Sequence, residues 1–234
     1  MGRKIFYSIL TIDFMTWIKI CGTTNLEDAL TAVDAGADAV GFVFYEKSPR
    51  KIEVDAAREI VAKLPASIEK VGVFVNESPE RVSAIGDEVG LTAVQFHGDE
   101  YKNPEKYAVN RKAFFCCPAI ETIRRWKNGS IFEFHNFPNL AGVILDSGSE
   151  EERGGTGKTF EWGEAYSLVS STAVLAPVIV AGGLTPVNVK RAVESLNPWG
   201  VDVASGVEAR PGKKDPDKVQ AFVRAVREMD RKVS

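Results

Sequence analysis

The chain has 234 residues, 26% of them charged, and a formal net charge of -3. That length supports one large core without forcing a second domain, and the near-balanced charge excludes a surface built for nucleic acid or anionic membranes. Cys21, Cys116 and Cys117 show no C-x-x-C spacing and leave an odd thiol, which argues against a disulfide scaffold and a zinc site and points to a reducing cytoplasm.

Residues Met1 to Thr16 carry no clear period and read as an N-terminal extension; their apolar run, Ile5 to Ile12, is too short to span a bilayer and resembles no targeting segment. Met15 leaves open that the extension is an upstream start. The first strand is expected at Trp17–Cys21, followed by a helix opened by a capping box, Thr24-x-x-Glu27, and closed by Gly36. Ala39–Phe44 is apolar throughout, as a parallel strand covered on both faces should be, and leads into a helix with Ala57, Ile60, Val61 and Leu64 on one face. A third unit runs from Lys70–Val75 through Ser78-Pro79, a cap with proline at the first helical position, to Val82, Ile85 and Val89.

The fourth strand is expected at Leu91–His97 and the fifth at Ala113–Cys117, with a short helix at Ile120–Trp126. The sixth ends in Val143-Ile144-Leu145-Asp146, opens into the glycine-rich loop Ser147–Lys158, and is followed by a helix around Trp162–Val169. Val178–Ala181, with Thr185-Pro186 as cap and first turn, and Gly200–Ser205, with a last helix capped by Asp215-Pro216, complete the series. Eight apolar runs alternating with helical patterns predict a single-domain α/β fold, a (β/α)8 TIM barrel over residues 17–234. An open doubly wound sheet is the competing architecture, weakened because no G-x-G-x-x-G follows the first strand.

In a barrel the chemistry sits at the C-terminal strand ends, which here carry Cys21, Gln95 and His97, Asp146, Gly182-Gly183, and Asp202 with Ser205-Gly206. Cys21 reads either as an ordinary buried thiol or as a base whose pKa a helix N-terminus would lower. Asp146 closes a run so apolar that an idle carboxylate there would be costly, which favours a working one. His97 shares an inward face with Gln95 and reads equally as a satisfied interior group; Asp202 has the same two readings. Arg50, on the loop after the second strand, suits bidentate capture of a carboxylate or phosphate, against the plainer reading of a solvated cation. Ala181-Gly182-Gly183-Leu184 and Ser205-Gly206-Val207-Glu208 occupy the positions where barrels bind phosphate through bare backbone N–H groups. Gly157-Lys158-Thr159 imitates the end of a P-loop, but Glu152 stands where the earlier glycine is required. The residues thus predict proton transfer on a small phosphorylated molecule, with no metal, organic cofactor, nucleic acid or membrane partner, and they leave open whether the chain works as a monomer or homodimer.

The motifs Lys19-Ile20-Cys21-Gly22, Gly41-Phe42-Val43-Phe44, Ser48-Pro49-Arg50, Gly72-Val73-Phe74-Val75-Asn76, Gln95-Phe96-His97-Gly98, Leu145-Asp146-Ser147 with Gly154-Gly155-Thr156-Gly157, Ala181-Gly182-Gly183-Leu184 and Asp202-Val203-Ala204-Ser205-Gly206-Val207-Glu208 resemble, in order, the phosphoribosylanthranilate isomerases of tryptophan biosynthesis. Departures are Thr23 for a common aliphatic residue, Phe96 for leucine and Ala204 for serine. The resemblance implies an Amadori rearrangement of N-(5-phosphoribosyl)anthranilate with Asp146 as general acid and Cys21 as general base. It further implies Arg50 on the anthranilate carboxylate, Gly182, Gly183, Ser205 and Gly206 on the phosphate, and His97 and Asp202 orienting the site. A related isomerase of histidine biosynthesis is the competing family reading, disfavoured because Cys21 stands where it uses an aspartate.

Overall fold

Trp17–Ile20 (β1) sets the pattern of the fold, since its side chains alternate between two buried environments. Ile18 and Ile20 point outward into the apolar layer under the helices, while Trp17 and Lys19 point into the barrel. A computed structural model describes residues 15–102, 104–107, 109–118, 139–147, 166, 169–170 and 176–233. After β1 come Leu26–Ala35 (α1), Ala39–Val43 (β2), Val54–Val61 (α2), Glu69–Phe74 (β3), Pro79–Val89 (α3) and Ala93–Phe96 (β4). Lys112–Pro118 (β5), Leu140–Asp146 (β6), Val178–Ala181 (β7), Val189–Leu196 (α4) and Gly200–Val203 (β8) follow. A hairpin of Glu208–Arg210 (β9) and Lys213–Lys214 (β10) precedes the last helix, Pro216–Val233 (α5).

β1 to β8 form a closed parallel barrel in sequence order, with β8 sealing against β1 through the register pair Lys19 and Asp202. The barrel expectation is therefore met, and the open-sheet alternative is not. Each aliphatic side chain buried under the helices, such as Ile18, Ile20, Val40 or Val94, contributes roughly 1.5–3 kcal/mol relative to exposure. The N-terminal end of the barrel is plugged by aromatic rings: Trp17 stacks on Phe114 with centroids 5.4 Å apart and on Trp199 at 5.3 Å.

Among the described residues the local sequence signals hold, with two exceptions. Ser78 accepts from the Arg81 N–H with Pro79 at the first position, Gly36 closes α1 at φ 93°, and Asp215 accepts from the N–H groups of Asp217 and Lys218. The α1 cap, however, is Asn25, which accepts from the Asp28 N–H at 2.9 Å, while the Thr24 hydroxyl donates to the Gly212 carbonyl at 2.6 Å. Thr185-Pro186 likewise forms a turn ahead of α4, with the Thr185 N–H donating to Asn188 Oδ1 at 2.7 Å and the helix beginning at Val189. β1 and β8 end one and two residues earlier than expected, yet the Cys21 N–H still continues the ladder to the Val203 carbonyl at 2.8 Å.

Residues 1–14, the expected helix at Ile120–Trp126 and the loop residues 148–158 lie outside the described residues, as does most of the helix expected around Trp162–Val169. Among the described residues no helix is long and apolar enough to cross a membrane.

Candidate active site

At the C-terminal mouth of the barrel the apolar interior gives way to charge. Lys19 projects inward from β1 with no exposed surface; its Nζ donates to Gln95 Oε1 at 2.7 Å and to Asp202 Oδ2 at 2.9 Å. Cys21, two residues on and facing the same way, sits with Val43 and Val73 in the last apolar layer before the opening. Gly41 on β2 makes room for both: a Cβ there would stand 2.8 Å from Cys21 Sγ and 2.9 Å from Lys19 Cε. Glycine at this point is a packing requirement of the thiol and the ammonium.

Burial pushes the Cys21 thiol above its usual pKa, Lys19 and Lys214 pull it back in part, and Asp202 adds to the rise. The expected lowering by a helix N-terminus is not found. α1 starts at Leu26, beyond the irregular residues Gly22–Thr24, and Asn25 caps its N-terminus, so the charge that most favours the thiolate is Lys19. Burial opposes the Lys19 ammonium as well, yet Asp202 and Cys21 together hold its pKa above that of an ordinary lysine.

A polar relay crosses the interior from this lysine. An ammonium only donates, so Lys19 fixes Gln95 with its oxygen inward and its NH2 toward His97 Nδ1, 3.2 Å away. Nδ1 is then an acceptor, and the ring proton sits on Nε2, which faces Cys116 Sγ at 3.8 Å. The donor atoms of His97, Cys116 and Asp146 all lie within 4.8 Å of one another. A cation would accept that spacing, but the relay turns a proton of His97, not a lone pair, toward the thiol. Burial, followed by the charge of Asp146, raises the Cys116 pKa well above the ordinary range, so this thiol keeps its proton.

Asp146 ends β6 almost buried, and Gly182 presses against it: a Cβ on Gly182 would come within 2.6 Å of Asp146 Oδ1 and would overlap the Ser147 hydroxyl. Gly182 and Gly183 take φ of 85° and 61°, the left-handed region that glycine adopts without strain. A Cβ on Gly206 would overlap the Leu184 carbonyl, so the glycine turns after β7 and β8 are in contact. Ser205 and Gly206 open a short 3-10 turn there.

Arg50 is not a solvated cation. Its Nε and Nη2 each donate to a Glu208 carboxylate oxygen at 2.8 Å, and its stem packs over Gly22. Burial would raise the Glu208 pKa, but hydrogen bonds from Arg50 and the charges of Lys214 and Arg50 bring it below the usual value. Lys214, buried on β10, reaches Glu208 at 3.1 Å and the carbonyls of Cys21 at 2.5 Å and Ala204 at 3.2 Å. The hairpin thereby ties the backbone of Cys21 to the loop after β8.

All nine residues proposed from the sequence lie at this one mouth, on the strand ends or the loops just beyond them. Lys19, Lys214 and Cys116 were missed. Lys19 left a signal, a lysine at an inward position of an apolar strand; Lys214 left none, because its burial depends on a hairpin spanning back to α1 and Cys21.

Fold and site together define a (β/α)8-barrel enzyme of acid-base type. Residues 18–225 match the family described as N-(5'phosphoribosyl)anthranilate (PRA) isomerase. The N-(5'-phosphoribosyl)anthranilate isomerase of Chlorobaculum parvum is 44% identical over 223 residues, covering 93% of this chain and 97% of that protein. The phosphoribosyl anthranilate isomerase of Thermotoga maritima superposes with a TM-score of 0.78 at 40% identity, covering 92% of this chain and 100% of that one. A further structure of the isomerase, in complex with reduced 1-(o-carboxyphenylamino)-1-deoxyribulose 5-phosphate, gives a TM-score of 0.75 at 38% identity, with 92% and 100% coverage. The chain belongs to the phosphoribosylanthranilate isomerase family.

Proposed function

We propose that the chain catalyses the Amadori rearrangement of N-(5-phosphoribosyl)anthranilate to 1-(2-carboxyphenylamino)-1-deoxyribulose 5-phosphate, with Asp146 as general acid and Cys21 as general base. The observation that carries this reading is that Cys21 and Asp146 stand at the ends of β1 and β6, three strands apart around one mouth, with the two glycine turns in contact beside Asp146.

Asp146 protonates the furanose ring oxygen, and the C1–O bond breaks as nitrogen donates its lone pair to form the Schiff base. Cys21, as thiolate, removes the C2 proton; the C–H pair forms the C1–C2 double bond and the imine pair returns to nitrogen. The enolamine then tautomerises to the ketone, the hydroxyl proton being replaced by one on C1. The two groups finish with exchanged protonation states and reset through solvent. No redox partner is needed, because the substrate and product are isomers.

Gly182, Gly183, Ser205 and Gly206 take the phosphate through backbone N–H groups, a reading supported by the left-handed glycines and the joined turns. Arg50 takes the anthranilate carboxylate with Nη1, which has no hydrogen bond among the described residues, while Glu208 holds the rest of the guanidinium. His97 and Asp202 orient the substrate's polar groups. One barrel supplies all these groups, so the active unit is one chain, alone or as a homodimer. Three free thiols fit a reducing, cytoplasmic setting.

The test is Asp146→Asn, which keeps shape and removes the proton. Turnover should fall by about 10²–10⁴-fold with the melting temperature nearly unchanged; a folded Asp146→Asn protein with full activity contradicts the assignment.

A further inference from the structure

The proposed mechanism needs a thiolate in a place where burial favours the thiol. Among the described residues the groups facing Cys21 are Lys19 on its own strand, Asp202 on β8, Lys214 on β10, the apolar Val43 and Val73 on β2 and β3, and the partly buried Tyr45 and Ala204. Lys214 is already bound to three oxygens, one of them the carbonyl of Cys21 itself. Lys19 is different. Its ammonium is fully enclosed, its Cε shares the Gly41 clearance with Cys21 Sγ, and its two hydrogen bonds to oxygen leave the third donor of an ammonium for the sulfur side.

Asp202 competes for the same cation. Only Oδ2 meets Lys19; Oδ1 is buried with no hydrogen-bond partner among the described residues. A half-satisfied carboxylate in this position is a costly arrangement in a resting protein. It makes sense if the carboxylate is balanced against a second anion around one lysine.

We infer that Lys19 is a positioning residue for the reaction, its ammonium being the counter-ion shared between Asp202 and the Cys21 thiolate, so that Lys19 makes the thiolate accessible and Asp202 limits it. The inference rests on the reading of Cys21 as the base. It assigns opposite effects to two residues that hydrogen-bond each other, which a purely structural role for the pair would not produce. Losing Lys19 should make the thiolate harder to form. Replacing Asp202 by the isosteric amide should make it easier, because the ammonium then faces sulfur alone and the orphan oxygen site receives an NH2 group.

The experiment follows the carbon-13 signal of the Cys21 Cβ against pH in protein labelled at cysteine, the signal being assigned by its absence in Cys21→Ser. In Lys19→Met the titration midpoint should move up by about 1–3 pH units; in Asp202→Asn it should move down, and Lys19→Arg should restore it to near the wild-type value. The rising limb of kcat/KM, which follows the thiolate, should move in the same directions. Should Lys19→Met alone fail to fold, Lys19→Met with Asp202→Leu removes both buried charges; its midpoint should still lie about 1–3 units above that of Asp202→Asn. A midpoint that does not move in folded Lys19→Met, or that moves in the same direction in Lys19→Met and Asp202→Asn, overturns the inference. These outcomes do not depend on turnover. Failure of the base assignment itself would appear separately, as full activity in Cys21→Ala.

Discussion

The two ends of the barrel are built from the same strands by opposite means. At the N-terminal end Trp17, Phe114 and Trp199 fill the opening with stacked rings, and the ion pair of Lys112 with Glu69 stands at the rim with its lysine exposed. At the C-terminal end Lys19 and Asp202 inside the barrel and Glu208 and Lys214 on the β9–β10 hairpin are all buried, beside Cys21 and Asp146. One end closes a core, and the other carries buried charge that a core built for stability alone would replace with hydrocarbon. The contrast separates residues whose loss should show in unfolding from those whose loss should show in turnover.

The largest effect expected is on pH dependence. The Cys21 thiol lies above its ordinary pKa, so the thiolate fraction, and with it kcat/KM, should rise about tenfold per pH unit on the acid side of that limb. A limb at or below the pKa of a free thiol in the wild-type profile would break the contrast at its centre.

Glu208→Gln should be the most destabilising change at the mouth, by about 3 kcal/mol in urea unfolding, because Arg50 and Lys214 are left without their anion. Glu208 is held below the usual carboxylate value in the folded protein. Its stabilisation is therefore fully present above the unfolded carboxylate pKa and is lost as pH falls through the lower, folded one. The gap between wild type and Glu208→Gln should accordingly narrow on acidification, as read from melting temperatures across that range.

At the other end, Trp199→Ala removes one ring of the plug. The ring is 37% exposed, and its stacking is worth about 0.5–1.5 kcal/mol beyond area burial, so stability should fall modestly while kcat stays at the wild-type value. A large fall in kcat would mean that the two ends are coupled.

The smallest effect has the opposite sign. Thr23 is fully buried, and its hydroxyl has no partner among the described residues, so Thr23→Val should raise stability by about 1 kcal/mol in the same unfolding measurement.

What the residues reveal in advance divides along similar lines. The barrel could be read from its strands because a wall covered on both faces needs unbroken apolar runs, and Ala39–Val43 and Val178–Ala181 are plain examples. Strand-end groups such as Asp146 and Cys21 were visible because they interrupt those runs. The Asn25 cap was missed because Thr24 fits the same rule one residue earlier, and the Thr24 hydroxyl turns out to donate to the distant Gly212 carbonyl. The Arg50–Glu208–Lys214 cluster was illegible for the same reason: residues 158 apart meet through the β9–β10 hairpin, which has no periodic pattern. The upward shift of the Cys21 thiol also escaped the sequence, because a pKa depends on what surrounds a group and not on its neighbours in the chain.

The most direct test of the whole account is to add the purified protein to freshly generated N-(5-phosphoribosyl)anthranilate and follow the loss of the substrate's fluorescence, with Cys21→Ala as control. The account predicts rapid loss with the rearranged ketone as product, and a rate lower by about 10²–10⁴-fold in a Cys21→Ala protein that melts like wild type. Substrate left untouched by the folded wild-type protein, or consumed equally well without Cys21, would contradict it.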